Sequence, residues 1–248
     1  MGKTYEALKR AEREHQVGRQ APPPGPSPRG RPRLPKRASD STTRERYQDL
    51  KTNILTRYPD GSIKVILFTG TAHGDGSSTT ALNFATTMAR DCKLKVLLVD
   101  INLRTPCLHE VFKMDKTPGL SDVVTNGSKM ASSVQKVGPG DLYVLTSGGD
   151  HSGPVGLFEF TQFDQFLKAM RAKFDYVILD APPVPAFSES RVLAAKVDGV
   201  VLVLESGKTR RQVALRVKKE MEEAGGKILG VVINKRRYYI PEFIYKRL

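Results

Sequence analysis

The residues best suited to chemistry lie in one stretch, Gly70-Thr-Ala-His-Gly-Asp-Gly-Ser-Ser-Thr-Thr80. An apolar run, Val65-Ile-Leu-Phe68, precedes it, and Ala81, Phe84, Ala85 and Met88 follow at helical spacing. A glycine-rich turn between a strand and a helix lets backbone N–H groups and the helix N-terminus bind phosphate. Gly74 and Gly76 allow the main chain to approach an anion without a Cβ in the way. His73, Gly74, Asp75, Gly76, Ser77, Ser78 and Thr79 are therefore the candidate nucleotide-binding loop. Ser78 sits where the hydroxyl for Mg²⁺ belongs, with Thr79 as its competitor. The pattern G-x-x-x-x-G-K-[ST] requires a lysine after the last glycine, and here that residue is Ser77. Losing a phosphate-stabilising cation commonly costs ~10³-fold or more in phosphoryl-transfer rate. His73 reads most simply as a solvated loop side chain.

Two carboxylates extend the pattern. Val96-Leu-Leu-Val-Asp100 and Tyr176-Val-Ile-Leu-Asp180 each end an apolar run in an aspartate. An acid in that position holds Mg²⁺ directly or through water. Either acid alone also describes a solvated strand end or a helix cap. Together with the loop, the two point to a nucleotide–Mg²⁺ site with Ser78, Asp100 and Asp180 as metal-side groups.

Elements must position these groups. Strand-like runs cover 65–68, 96–100, 142–145, 176–180, 200–204 and 228–234. Helical patterns cover 78–90, 159–171, 189–195 and 210–224. Continuous Val/Ile/Leu strands alternating with helices predict an α/β fold, a mostly parallel sheet with helices on both faces. Ligands of such sheets bind at the carboxyl ends of strands, where the loop, Asp100 and Asp180 all fall. Residues 1–16 read as a short helix. Residues 17–43 form a Pro/Arg-rich linker, with seven prolines between 17 and 40 that cannot pack a core. The domain itself spans 44–234, and 235–248 is a basic tail containing tyrosines.

The chain of 248 residues is 39% hydrophobic, enough for one sizeable core. Net charge is +14, which suits an anionic partner or serves solubility. Cys92 and Cys107 form neither a disulfide framework nor a zinc spacing, as expected in a reducing cytosol. No apolar run approaches the ~18 residues of a membrane span, and the charged N-terminus is no signal peptide.

In combination these motifs are specific. Val96-Leu-Leu-Val-Asp-Ile-Asn-Leu-Arg-Thr-Pro106 resembles the second Walker motif of the bacterial tyrosine kinases, P-loop ATPases related to the partitioning and cell-division-site ATPases. Phe174-Asp-Tyr-Val-Ile-Leu-Asp-Ala-Pro-Pro-Val184 resembles their Walker B segment, and Gly230-Val-Val-Ile-Asn234 the strand whose asparagine contacts adenine. Tyr238, Tyr239 and Tyr245 resemble their autophosphorylated tyrosine tail. The resemblance implies a P-loop fold, ATP or ADP with Mg²⁺, and catalytic roles for Asp100, Asp180 and Arg104. It also implies a regulatory place in capsular or exopolysaccharide polymerisation and export, beside a membrane polysaccharide co-polymerase with an activating cytoplasmic tail. The expected state is a homo-oligomer, or a hetero-oligomer with paralogues, in the cytoplasm at the inner face of the plasma membrane. No nucleic acid is expected.

Departures from the pattern matter. Ser77 replaces the loop lysine, Asn102 stands for a second aspartate, and Glu189 replaces an aspartate beyond the Walker B segment. Gln48 and Lys51 stand for the two arginines of the ring-forming motif that begins at Glu45. Two alternatives to an active autokinase follow: a nucleotide-binding pseudokinase that scaffolds the same complex, and a positioning-type ATPase. Arg104 and Lys208 are the nearby cations that could replace the missing one.

Overall fold

The computed structural model describes residues 41–236, apart from 127–129, 139, 150–153 and 160. The predicted N-terminal helix, nearly all of the linker, and Tyr238, Tyr239 and Tyr245 lie outside the described residues. In chain order the elements are α1 (Ser41–Arg57), β1 (Val65–Gly70), α2 (Ser77–Asp91), β2 (Val96–Asp100), α3 (Leu108–Phe112), α4 (Leu120–Asn126), α5 (Met130–Ser133), β3 (Gln135–Lys136) and β4 (Leu142–Leu145). Then follow α6 (Pro154–Glu159), α7 (Thr161–Lys173), β5 (Tyr176–Asp180), α8 (Glu189–Ala194), β6 (Gly199–Glu205), α9 (Arg211–Glu223) and β7 (Ile228–Asn234).

The described strands form one seven-stranded sheet in the order β3-β4-β2-β5-β1-β6-β7. All pairs are parallel except β3 with β4. Every residue of β1, β2 and β5 is buried, which explains why these strands read as unbroken apolar runs. Side chains alternate between the two faces. Val65 and Leu67 join a core with Phe163, Met170, Leu193 and Met221, while Ile66 and Phe68 join another with Phe84, Ala85 and Met88. Phe68 and Phe84 meet at 5.4 Å between ring centroids. Each such side chain stabilises by about 1.5–3 kcal/mol on burial.

At the amino ends of the strands, Asp198 stitches the sheet together. Its Oδ2 accepts the N–H groups of Lys64 and Val65 at 2.8 and 2.7 Å, and its Oδ1 pairs with Arg171 at 2.7 Å. The carboxyl ends are left for function. The chain runs from β1 outward to β2, β4 and β3, then returns through β5 to β6 and β7, so the order reverses around β1 and β5. A crevice at such a reversal is where ligands bind in open α/β sheets.

The expected α/β architecture is present, with three differences of detail. The helical pattern at 159–171 is two helices, α6 and α7, which lets Phe158 and Phe163 meet edge to face at 5.1 Å. The region between β2 and β4, given no elements by periodicity, holds three short helices. Finally, β3 adds an antiparallel edge of two exposed residues, too short to show a period of two.

Candidate active site

The loop between β1 and α2 is held by its own acid. The Oδ2 of Asp75 accepts from the Thr71 N–H (2.8 Å), the Thr71 hydroxyl (2.6 Å) and the Ala72 N–H (2.8 Å). Gly74 and Gly76 have φ of +91° and +92°, a left-handed conformation that a side chain would strain. Gly76 caps α2 without a side-chain bond, and the first helical bond runs from the Thr80 N–H to the Gly76 carbonyl at 2.9 Å. The opening N–H groups of α2 therefore point out of the helix, the arrangement that binds an anion. Ser77 and Ser78 are half-buried, whereas Thr79 is exposed.

The back of the loop is braced by the far edge of the sheet. The Asn234 amide donates to the Asp75 carbonyl at 2.9 Å. The Lys235 ammonium donates to the Gly74 carbonyl and reaches Glu205 at 3.3 Å. Asn234, expected to meet adenine, thus also packs on Gly76, where a Cβ would come within 2.1 Å of its nitrogen.

Asp100 and Asp180 are paired in register on neighbouring parallel strands, and neither is exposed. Their surroundings differ. The Asp100 Oδ2 accepts the N–H groups of Cys107 and Leu108 at 2.9 and 3.0 Å, and its Oδ1 that of Asn102 at 3.2 Å. Asp100 therefore also fixes the start of α3. Both oxygens of Asp180 are buried with no hydrogen-bond partner. Burial, and then the Asp100 charge, push the Asp180 carboxyl far above the usual range. The Ser78 hydroxyl faces it and opposes that shift without closing a well-formed hydrogen bond. Burial likewise raises Asp100, against its three backbone donors and the charge of Lys116. Cys107 lies in the same corner. Burial raises its thiol, with the Asp180 and Asp100 charges adding to the effect.

A divalent cation fits this corner. Two desolvated carboxylates and a hydroxyl are hard oxygen donors, the set Mg²⁺ takes, and Mg²⁺ commonly uses only one or two carboxylates and keeps its waters. Among the described residues no group of three or more His, Cys, Asp or Glu side chains could hold a metal ion, so the protein's share of the cation's ligands is the two carboxylates and the Ser78 hydroxyl.

The remaining candidates gather at the mouth. Arg104 donates from Nε to the Glu189 Oε1 at 2.7 Å, and its guanidinium carbon lies 5.0 Å from the centre of the Phe187 ring. His73 stands edge-on to the same ring at 5.5 Å, so it packs on Phe187 rather than simply facing solvent. Lys208 is occupied with Glu205 at 3.2 Å. The fold thus brings the loop, Ser78, Asp100, Asp180, Arg104 and Asn234 to one end of the sheet. Sequence reasoning missed the roles of Asp75, Cys107, Phe187 and Lys235. Glu189 alone carried a signal, an acid standing where the resembled family has an aspartate beyond the Walker B segment.

Comparison with known proteins agrees with this geometry. The family described as AAA domain matches residues 63–212. The tyrosine-protein kinase YwqD of Bacillus subtilis (strain 168) is 35% identical over 197 residues, which cover 79% of this chain and 83% of that protein. The chain belongs to the bacterial tyrosine kinase family. Family structures superpose well. The chimerical protein CapA2B2 matches with a TM-score of 0.74 and 30% identity, over 78% of this chain and 85% of the other. The septum site-determining protein MinD of Pyrococcus horikoshii, solved with Mg-ADP, shares the fold at a TM-score of 0.60 and 20% identity, over 74% and 76% of the two chains. The fold is thus of the P-loop ATPase type. No helix among the described residues is long and apolar enough to cross a membrane.

Proposed function

We propose that this chain binds ATP or ADP with Mg²⁺ and acts as a tyrosine autokinase-like regulator of capsular or exopolysaccharide polymerisation and export. The observation that carries the reading is Asp180, a fully buried carboxylate with both oxygens unpartnered, beside Ser78 and in register with Asp100. Such a group is costly unless a cation takes it. The N–H groups at the start of α2 hold phosphate, Ser78, Asp100 and Asp180 hold Mg²⁺, and Asn234 edges the base. Mg²⁺ supplies charge neutralisation at the phosphates. The chain's own residues supply orientation and exclusion of water.

In this reading the domain spans 44–234, and Tyr238, Tyr239 and Tyr245 in the tail accept phosphate. The partner is the cytoplasmic tail of a membrane polysaccharide co-polymerase, which holds the protein peripherally at the inner face of the plasma membrane, as a homo-oligomer or with paralogues. Ser77 favours a second reading. With the loop lysine gone, transfer is slow, and the chain serves as a nucleotide-binding pseudokinase scaffold whose tyrosines a paralogue phosphorylates.

The test is purified protein with Mg²⁺-ATP and the partner's cytoplasmic tail, read by calorimetry for binding and by mass spectrometry for phosphotyrosine. Binding with phosphate on the three tyrosines, lost in the triple Tyr→Phe variant, supports the autokinase. Binding without phosphate supports the scaffold. Absence of nucleotide binding overturns both.

A further inference from the structure

Two segments converge on the phosphate-binding loop, and together with it they form a clamp. The loop after β2 brings Arg104, the segment after β5 brings Phe187 and then Glu189 at the start of α8, and the phosphate-binding loop itself brings His73. Glu189 is the unusual member. Its side chain is only 2% exposed, while that of Arg104 is 44% exposed. A buried carboxylate is retained at a cost unless its partner is well placed. Yet the pair is not a two-pronged one. Among the described residues Arg104 engages Glu189 through Nε alone, at 2.7 Å, and Glu189 Oε2 stays buried and unpartnered. A guanidinium has five N–H donors in a rigid plane. Held by Glu189 through Nε and stacked over the Phe187 ring, it keeps its Nη donors for another acceptor: among the described residues they find none in Glu189, whose second oxygen stays unpartnered.

The other cations near the loop are differently occupied. Lys208 pairs with Glu205. Lys235 donates to the Gly74 carbonyl and to Glu205, on the carbonyl side of the loop, whereas phosphate meets its N–H side. Arg104 stands on the acidic side, four residues beyond Asp100, in the loop that β2 leads into.

We infer that Glu189 is a positioning residue that, with Phe187, aims Arg104 so that its guanidinium supplies the phosphate-facing charge which Ser77 removes from the loop. This rests on the nucleotide-binding reading above. It changes the meaning of the Ser77 substitution, because the cation has been moved to the segment after β2, two strands away from β1. Arginine can address two phosphate oxygens at once, where a lysine is a point charge. The clamp therefore selects for the terminal phosphate, and ATP is preferred over ADP by more than backbone contacts alone would give.

The experiment is calorimetric titration of Mg²⁺-ATP and Mg²⁺-ADP into the full chain and its Arg104→Gln, Arg104→Lys, Glu189→Gln, Phe187→Leu, Lys116→Gln and Ser77→Lys variants. A charge-assisted hydrogen bond lost from the terminal phosphate lowers ATP affinity about tenfold or more. Arg104→Gln is expected to show that loss while ADP affinity changes little. Glu189→Gln keeps the volume and an acceptor but not the charge, and is expected to lower the ATP-over-ADP ratio in the same direction and by less. Adding Ser77→Lys to either variant should restore the ratio, a rescue that a merely structural salt bridge would not give. Should the Glu189 variant unfold, Phe187→Leu and Arg104→Lys test the same aim. An unchanged ratio in Arg104→Gln and Glu189→Gln, with wild-type binding intact, overturns the inference and leaves the nucleotide reading standing. A loss confined to Lys116→Gln would place the cation there instead. Absence of binding to the wild-type chain is the failure of the nucleotide reading itself.

Discussion

Replacing Asp180 with asparagine should make the ligand-free protein more stable at neutral pH. Asp100 and Asp180 are fully buried and in register on adjacent strands, so their Cα atoms are roughly 5 Å apart. Burial holds the Asp100 carboxyl at about 6 instead of the ordinary 3.8, and raises that of Asp180 well above its ordinary value. A carboxyl shifted that far costs about 3 kcal/mol to keep ionised at neutral pH. The sign follows from proton counting. The folded state keeps protons that the unfolded chain releases above its ordinary carboxyl range, so stability falls as pH rises from about 4 through the folded values. Asparagine removes one of the two charges and relieves the other, while preserving volume. The expected gain at pH 7.5 is about 2–3 kcal/mol, or roughly 5–10 °C in Tm for a domain of this size. It should vanish below about pH 4, where both states are protonated. The assay is thermal unfolding by circular dichroism between pH 4 and 8 with a chelator present. A variant that is no more stable than wild type at pH 7.5, or whose gain is independent of pH, would refute the reasoning. With Mg²⁺-nucleotide the order should invert, since only the wild type has the carboxylate to reward.

Two further outcomes follow from single contacts. Gly76→Ala would set a Cβ 2.1 Å from the Asn234 amide at a φ of +92°, so nucleotide affinity should fall at least about tenfold with the sheet intact, checked by calorimetry beside circular dichroism. Asp198→Ala removes three bonds at the other end of the sheet. It should lower stability by about 2–4 kcal/mol without changing nucleotide affinity per folded molecule, as urea unfolding and calorimetry would show.

What could be read from the sequence divides along physical lines. Strands β1, β2 and β5 were legible because a strand buried on both faces must be apolar throughout, and each ends in the polar group that stops the run. The loop was legible because its glycines satisfy a purely local demand. The clamp at the mouth was not. Arg104 and Glu189 are 85 residues apart, and nothing local distinguishes Nε held by a buried acid from an ordinary surface arginine. Nor could the two aspartates be told apart, although each closes a strand of the same pattern. Asp100 spends its oxygens on the N–H groups at the start of α3 while Asp180 has none to accept, a difference made by the path of the chain after β2. The short antiparallel β3 escaped because two exposed residues carry no periodicity.

The brace from Asn234 onto the loop has a consequence in time. The Asn234 amide and the Asp75 carbonyl it meets lie 159 positions apart, so the loop is synthesised long before its support. At about 5–20 residues per second, the strand that carries the brace follows the loop by roughly ten seconds or more. Through that interval β1 can be paired and buried while the phosphate cradle that follows it still lacks its rear wall. Competence to hold nucleotide therefore arrives as one of the last events of folding, when β7 zips onto β6, and a chain interrupted before that strand would own every motif of the site without its working shape.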